Sequence, residues 1–299
     1  MKKVNVLLSS YNGEKYIEEL IRSVLAQEGV DVILTIRDDG STDKTIDIIR
    51  SFDDSRIRLI IGSENLGPAK SFLTLLRDCD KADYYAYCDQ DDVWLPNKLS
   101  VASDMLSASK PGLFLSTYDV VDVDLNFKYK RDMDFPTLKM ETSIMYRVPS
   151  GCVMVLNNGL RDVINQKMPE SIRMHDFWTL LIALGIKADI STTDESLIKY
   201  RIHGDNNVGL KPGVKVKAAK LKTSVTRKKH ERYLQAKSLY DCYSDRFDEA
   251  TNEMLLEVVN YRKSLSGRFK LAFDRRFREH GHDTYVNFLF VVSVLLGLF

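Results

Sequence analysis

Three carboxylates, Asp89, Asp91 and Asp92, stand within four residues of one another. Like charges this close repel unless something positive joins them, and a divalent cation with oxygen ligands is the natural partner. A cation that also carried a diphosphate would make this a site for a nucleotide-linked substrate. The bland alternative is an acidic loop exposed to water. An apolar aromatic run, Tyr84-Tyr-Ala-Tyr87, comes directly before the acids and reads as a buried strand. The carboxylates therefore emerge at a strand's C-terminal end.

The elements around them follow from periodicity. Val4–Leu8, Val32–Ile36 and Ile57–Ile61 read as short β-branched or apolar strands. Between them, Glu14–Gln27 and Thr45–Phe52 show helical spacing of apolar residues, and a helix through Leu73, Leu75 and Leu76 follows the turn Asn65-Leu-Gly-Pro68. Later strands are expected at 113–118, 120–123, 151–156, 188–190 and 197–201. A helix is expected from His175-Asp-Phe-Trp178 to Leu184. Alternating strands and helices predict an α/β, Rossmann-like fold with a mostly parallel sheet and flanking helices. Ligands of such sheets bind beyond the C-terminal strand ends. The loops 9–13, 38–43 and 89–92 all lie at such ends, so three polar loops should converge on one crevice.

Composition adds an asymmetry. The chain has 299 residues and a net charge of +1, but residues 211–299 alone sum to +8, which leaves −7 on residues 1–210. We therefore expect two parts, 1–210 and a basic helical C-terminal region, 211–299, with an apolar end. Cys79, Cys88, Cys152 and Cys242 form no C-x-x-C pair, so neither a zinc pattern nor a disulfide framework is expected. The first strand begins almost at once, without a signal peptide, and the expected setting is reducing and cytoplasmic.

The chain carries an ordered set of motifs, Ser10-Tyr-Asn-Gly13, Asp38-Asp-Gly-Ser-Thr-Asp43, Asn65-Leu-Gly67 with Lys70, Cys88–Trp94, His175–Trp178, Tyr200-Arg-Ile-His203 and Asn206-Asn-Val-Gly209. This set resembles the family 2 glycosyltransferases of the GT-A fold, and within them bacterial rhamnosyltransferase-type enzymes of surface polysaccharide synthesis. The resemblance covers roughly residues 3–209. It implies an inverting, metal-dependent transferase acting on a nucleoside diphosphate sugar, dTDP- or UDP-linked. Rhamnose from a dTDP donor is the expected sugar, with glucose or galactose from UDP as the open alternatives, and the acceptor is a glycan or lipid-linked glycan.

The resemblance also implies roles. Asp39 would accept the N3–H of a pyrimidine base, while Ser10, Tyr11 and Asn12 wrap base and ribose through backbone groups. Lys70 would lie near the diphosphate; as a lysine it could equally be a solvated surface residue. Asp91 would bind the metal, Mn²⁺ or Mg²⁺, with Asp89 on the ribose or a water of the ion and Asp92 orienting either. His203 would complete the shell, which favours Mn²⁺ somewhat; its plain alternative is a structural histidine. An acceptor alcohol needs a base, and Asp176 is the candidate, with a helix N-cap as its structural alternative. For Asp39 the corresponding alternative is a turn cap, although Asp43 is the better cap. Trp94 and Trp178 could be platforms for sugar rings or ordinary core. Many family members carry Glu-Asp where this chain has His175-Asp176.

The C-terminal region matches none of these motifs. Its apolar end, Tyr285–Phe299, is 15 residues long, short of the roughly 20 a bilayer span needs. Beside basic, aromatic sequence it suggests an interfacial anchor; a helix packed on the protein or on a second copy in a homo-oligomer is the alternative. No recognition motif supports nucleic acid as a partner. Two other functions compete. A nucleotidyltransferase would need a Gly-rich basic phosphate loop, which Ser9–Gly13 is not. A non-catalytic glycan- or lipid-binding protein would not need Asp91 and Asp176.

Overall fold

The structure, a computed structural model, describes residues 1–131, 135, 138–145, 149–203, 231–277 and 284–299. Its first half runs β1 (Lys2–Ser10), α1 (Ile17–Leu25), β2 (Val30–Asp38), α2 (Thr45–Arg50), β3 (Ile57–Ile61), α3 (Gly67–Asp78), β4 (Tyr84–Cys88), β5 (Val93–Trp94) and α4 (Lys98–Met105). Then come β6 (Gly112–Val121), β7 (Phe127–Lys130), α5 (Met140–Met145), β8 (Met154–Asn157), α6 (Asn158–Ile164), α7 (His175–Gly185) and β9 (Asp189–Arg201). The C-terminal region holds α8 (Glu231–Tyr243), α9 (Glu249–Asn260), α10 (Leu265–Phe273) and α11 (Thr284–Leu295).

One sheet runs in the order β3-β2-β1-β4-β8-β6-β9-β5, with β7 added to β6. Neighbours β3, β2, β1 and β4 are parallel, as are β6 and β9; β5, β7 and β8 run the other way. The expected Rossmann-like order is present in the first four strands. Their buried character follows from sequence: β4 is aromatic and apolar and buried at every position, as a strand covered on both faces must be. Helix α1 shows the matching pattern, with Ile17, Leu20, Ile21 and Val24 all buried on one stripe.

Two expectations need correction. The pairs 113–118/120–123 and 188–190/197–201 are not four short strands but the two long ones, β6 and β9, paired in parallel with register shifts around Thr117. The polar run Ser191–Glu195 in β9 hid the continuity, because an accessible strand carries no apolar alternation. The expected strand at 151–156 opens instead as a one-turn 3-10 helix, 151–153, ahead of β8.

The C-terminal helices share the apolar core with the sheet layers. Tyr243 of α8 sets its ring 5.8 Å from that of Trp178 in α7 and donates its hydroxyl to the Ile164 carbonyl at 2.8 Å. Phe247 lies so close to Gly185 that a Cβ there would meet its ring at 2.3 Å. The apolar end also packs inward in part: Phe290, Val294 and Phe299 are buried, and the Tyr261 hydroxyl bonds the Phe299 carbonyl. Among the described residues no helix is long and apolar enough to cross a membrane. The expected boundary at 210/211, the Asn206–Gly209 motif and the basic run 211–230 lie outside the described residues.

Candidate active site

The C-terminal ends of β1, β2 and β4 lie side by side, with Ser10 opposite Asp38 and Leu8 opposite both Ile36 and Cys88. The three polar loops thus leave the sheet together. Side chains then tie them to one another. Gln90, inside the acidic loop, accepts from the Tyr11 N–H at 2.9 Å and donates to the Tyr11 carbonyl at 3.0 Å. Gly13 leaves it room, since a Cβ there would lie 2.5 Å from Gln90 Oε1. Asn12 takes a left-handed φ of 47°, which asparagine tolerates. Its N–H donates to Ser41 Oγ at 2.9 Å, and its Oδ1 accepts from the Thr42 N–H at 2.9 Å.

The two aspartates that end β2 differ in their partners. Asp38 is buried and accepts from the Ser41 N–H and hydroxyl, from the Gly40 N–H and from Ser10 Oγ. Ser10 is itself buried, and its carbonyl accepts from the Asp39 N–H at 2.8 Å. Asp39 pairs with the buried Arg37 and accepts from the N–H groups of Leu66 at 3.0 Å and Gly67 at 2.7 Å. A carboxylate offers about four acceptor sites, so one remains. Lys70 is exposed in the first turn of α3, just beyond the N–H groups that hold Asp39. Asp43 is not the cap of α2, where Lys44 takes that place without a side-chain bond. It instead accepts from Thr45 and from the Glu14 N–H, joining two loops.

The acidic loop faces the end of β9. Asp91 Oδ2 lies 2.9 Å from His203 Nε2, and the His203 ring rests 5.0 Å from Tyr16. Arg201 organises the loop from below: its Nε donates to the Asp91 carbonyl at 3.0 Å and its N–H to Asp92 Oδ1 at 3.2 Å, while Glu19 pairs with its guanidinium. Asp92 is buried, and its Oδ2 has no hydrogen-bond partner among the described residues. Asp89, Asp92 and Cys152 present ligand-type atoms within 4.8 Å of one another. Lys98, buried beneath them, donates to the Cys152 carbonyl at 2.8 Å and stands 3.1 Å over the Trp94 ring.

These surroundings shift the titrating groups. Burial, reinforced by Asp91 and Asp176, raises Asp89 to about 7. Burial also raises Asp92 well above the carboxylate range, with Asp91 and Asp89 adding to it. It lowers Lys98 to about 8 against the opposing pull of Cys88, Cys152, Asp92 and Asp89. Packed carboxyls, pushed towards the neutral form and with one oxygen unsatisfied, fit a bound cation, whose charge would favour their ionised form. Burial pushes the Cys152 thiol up as well, and hard divalent cations prefer oxygen to sulfur, so the fitting donors are carboxylate oxygens and the His203 imidazole. That set suits Mn²⁺ or Mg²⁺.

Asp176 is half-buried as the second residue of α7. Met174 is the N-cap, so the capping alternative for Asp176 does not hold. Burial raises its carboxyl to about 6, opposed by the Phe177 N–H and by Arg173. His175, the departure from Glu-Asp, is buried with its ring 3.9 Å from Phe72 and 4.6 Å, edge-on, from Tyr87. Burial lowers it to about 3, so it serves as a neutral aromatic wall. Trp94 and Trp178 are 3% and 0% exposed. Neither can offer a face to a sugar, and the platform expectation gives way to core packing.

Several contributors had no role assigned from sequence. Gln90 and Arg201 lie inside the recognised motifs, where their neighbours drew the attention. Lys98 and Cys152 carry no local signal, because their contact is set by the fold, while Arg37 pairs with Asp39 only two positions along the chain.

The family model "Glycosyl transferase family 2" matches residues 5–163. The chain belongs to that family. This glycosyltransferase is 29% identical over 229 residues to a dTDP-rhamnosyl transferase, RfbG, of Shigella flexneri, covering 72% of this chain and 78% of that one. Among solved structures it superposes on S. aureus TarS 1-349 in complex with UDP-GlcNAc with a TM-score of 0.61 at 18% identity, covering 92% of this chain and 78% of that one. The mannosyltransferase PcManGT of Pyrobaculum calidifontis, in complex with GDP-Man and Mn²⁺, gives 0.58 at 14% identity, covering 99% and 80%. Both likenesses bear out the GT-A-type fold.

One consequence of the loop ties can be measured on this glycosyltransferase. Gln90→Ala removes two side-chain bonds to one backbone segment, which should lower stability by about 1–2 kcal/mol and raise KM for the sugar donor more than it lowers kcat. A thermal melt and steady-state kinetics read both. An unchanged KM would show that the tie does not shape the donor site.

Proposed function

We propose that this family 2 glycosyltransferase moves a sugar, rhamnose from a dTDP donor, onto a hydroxyl of a lipid-linked glycan at the cytoplasmic face of the membrane. The observation that carries the reading is the meeting of Asp91 with His203 at the strand ends that also bring the 9–13 and 38–43 loops together. The sugar is supported by the rhamnosyl relative, and the nucleotide-linked donor by the neighbours solved with UDP-GlcNAc and GDP-Man.

In this reading the acceptor oxygen attacks the anomeric carbon as the bond from that carbon to the diphosphate oxygen breaks. The nucleoside diphosphate leaves with the bonding electrons, and a single displacement inverts the anomeric centre. Asp176 takes the acceptor's proton. Its raised pKa suits that task, since a base is most effective when its pKa lies near the working pH. Asp91 and His203 would hold Mn²⁺ or Mg²⁺, with Asp92 supporting, and Asp89 would face the ribose. The cation supplies charge stabilisation for the departing diphosphate. Asp39 uses its remaining acceptor site for the base, Tyr11 and Asn12 line the nucleoside through their backbone, Ser10 supports them from below, and Lys70 approaches the diphosphate. Residues 1–210 carry this chemistry, and residues 211–299 serve attachment.

The deciding experiment is a donor panel, dTDP-rhamnose beside UDP-glucose, UDP-galactose and UDP-GlcNAc, with Mn²⁺, reading the released nucleotide. Release from none of them would overturn the reading; release from a UDP sugar alone would overturn the rhamnose assignment. The base contact has its own check. Asp39→Asn should weaken binding of both UDP and dTDP by about tenfold, the cost of a charge-assisted hydrogen bond. Equal dissociation constants for wild type and variant, with both nucleotides, would exclude the contact.

A further inference from the structure

The apolar end of the chain is partly buried, but a different stretch of the C-terminal region is exposed. Leu265, Phe269 and Phe273 of α10 are 71%, 56% and 53% exposed. At four-residue spacing they fall within about 80° of helical arc, on one face. The rings of Phe269 and Phe273 stack, with centroids 6.1 Å apart. Leu271 and Ala272, also on α10, are buried, and α10 packs on α11. Phe288 and Leu296, within and just past α11, are exposed as well. Exposed large apolar side chains are ordinary when scattered; grouped along one helix they mark an interaction surface.

Charge indicates what covers this face. Between residues 261 and 277 there are six basic side chains and one acid, Asp274. Lys270 and Arg276 pair with Glu257, Arg276 also with Asp274, and Arg268 bonds the Leu295 carbonyl. Arg262 and Lys263 are exposed just before the stripe, and Arg275 just after it. An apolar face with cationic groups at both ends complements a surface that is anionic outside and apolar a few ångströms deeper. That is the interface of an anionic lipid bilayer.

We infer that the membrane contact is made by α10, through Leu265, Phe269 and Phe273 with Arg262, Lys263 and Arg275, and not by the chain's apolar end. The inference rests on the proposed action at a membrane face and names the surface that achieves it. The helix lies flat in the headgroup layer. The apolar end acts as the support that holds α10 in place, through the burial of Phe290, Val294 and Phe299.

The test is flotation of the full chain with vesicles of phosphatidylcholine alone or mixed with phosphatidylglycerol. Wild type should float with the mixed vesicles and only weakly with the neutral ones. The triple variant Leu265→Gln, Phe269→Gln, Phe273→Gln should bind about tenfold or more weakly, since three apolar side chains lose their burial. A second variant, Arg262→Glu, Lys263→Glu, Arg275→Glu, should lose the preference for phosphatidylglycerol while its apolar face stays intact. All these side chains are exposed, so both variants should melt as wild type does and release nucleotide from the donor in solution at the wild-type rate. Full vesicle binding by both variants would overturn the inference. So would wild type that ignores both kinds of vesicle, or a triple variant that changes oligomeric state by light scattering while its flotation stays unchanged. Failure of donor turnover in every protein, with flotation as expected, would instead strike the transferase reading and leave the docking face standing.

Discussion

Asp91→Asn should remove nearly all sugar transfer, by about 10³-fold or more, while the protein melts at its usual temperature. The expected size follows from the several kcal/mol that a cation contributes to a developing charge, at tenfold in rate per 1.36 kcal/mol. The fold should survive because asparagine matches aspartate in volume. Asp91 is also half-buried beside His203 and not part of the apolar core. The variant keeps an oxygen and a nitrogen for His203 but loses the ligand charge. Two measurements check the argument: kcat/KM against added Mn²⁺, and the melting temperature. Normal turnover by the variant, or wild-type activity in excess chelator, would sink the metal role.

Asp176→Asn should cost about 10²–10⁴-fold in kcat with nucleotide affinity little changed, the loss expected when a positioned base is removed. The wild-type pH profile gives a second reading. Asp176 titrates near 6, raised first by burial, and it accepts a proton only when ionised. The rate should therefore fall as pH drops through about 6 and level off above it. The variant should lose that limb of the profile. A collapse of donor affinity instead of kcat would make Asp176 a donor contact, and a persistent acid limb in the variant would assign the titration to another group. His175 cannot supply that limb, because burial holds it neutral down to about 3.

The framework of this site was legible because it is written in local patterns. Apolar strands ending in polar loops, and helices of period 3.6 between them, are properties of neighbouring residues. They located the loops of Asn12, Asp39 and Asp91 and the head of α7. What stayed hidden was of another kind. Asp39 joins the end of one strand to the turn before α3 by accepting from the Leu66 N–H across 27 positions, and Lys98 reaches Cys152 across 54. No spacing rule announces such meetings. The continuity of β9 was lost for a related reason: its polar middle is held by pairing with β6, which composition does not reveal. The stripe of α10 teaches the converse. Its four-residue period is visible in sequence, but an apolar helical stripe ordinarily faces a core. Only the folded chain shows that this one points outward.

Tyr243 covers Trp178, two residues along α7 from Asp176, and Phe247 fills the space that Gly185 leaves. Evolution meets a constraint there. Recombination that joined the first two hundred residues of this chain to a tail without these rings would strip the aromatic lid from the helix bearing the proposed base. It would leave a void where a large ring had been, at a cost of about 3–5 kcal/mol for a buried aromatic. That is a large share of a typical domain's total stability. An exchanged tail is therefore expected to be tolerated only where it brings large rings to both positions.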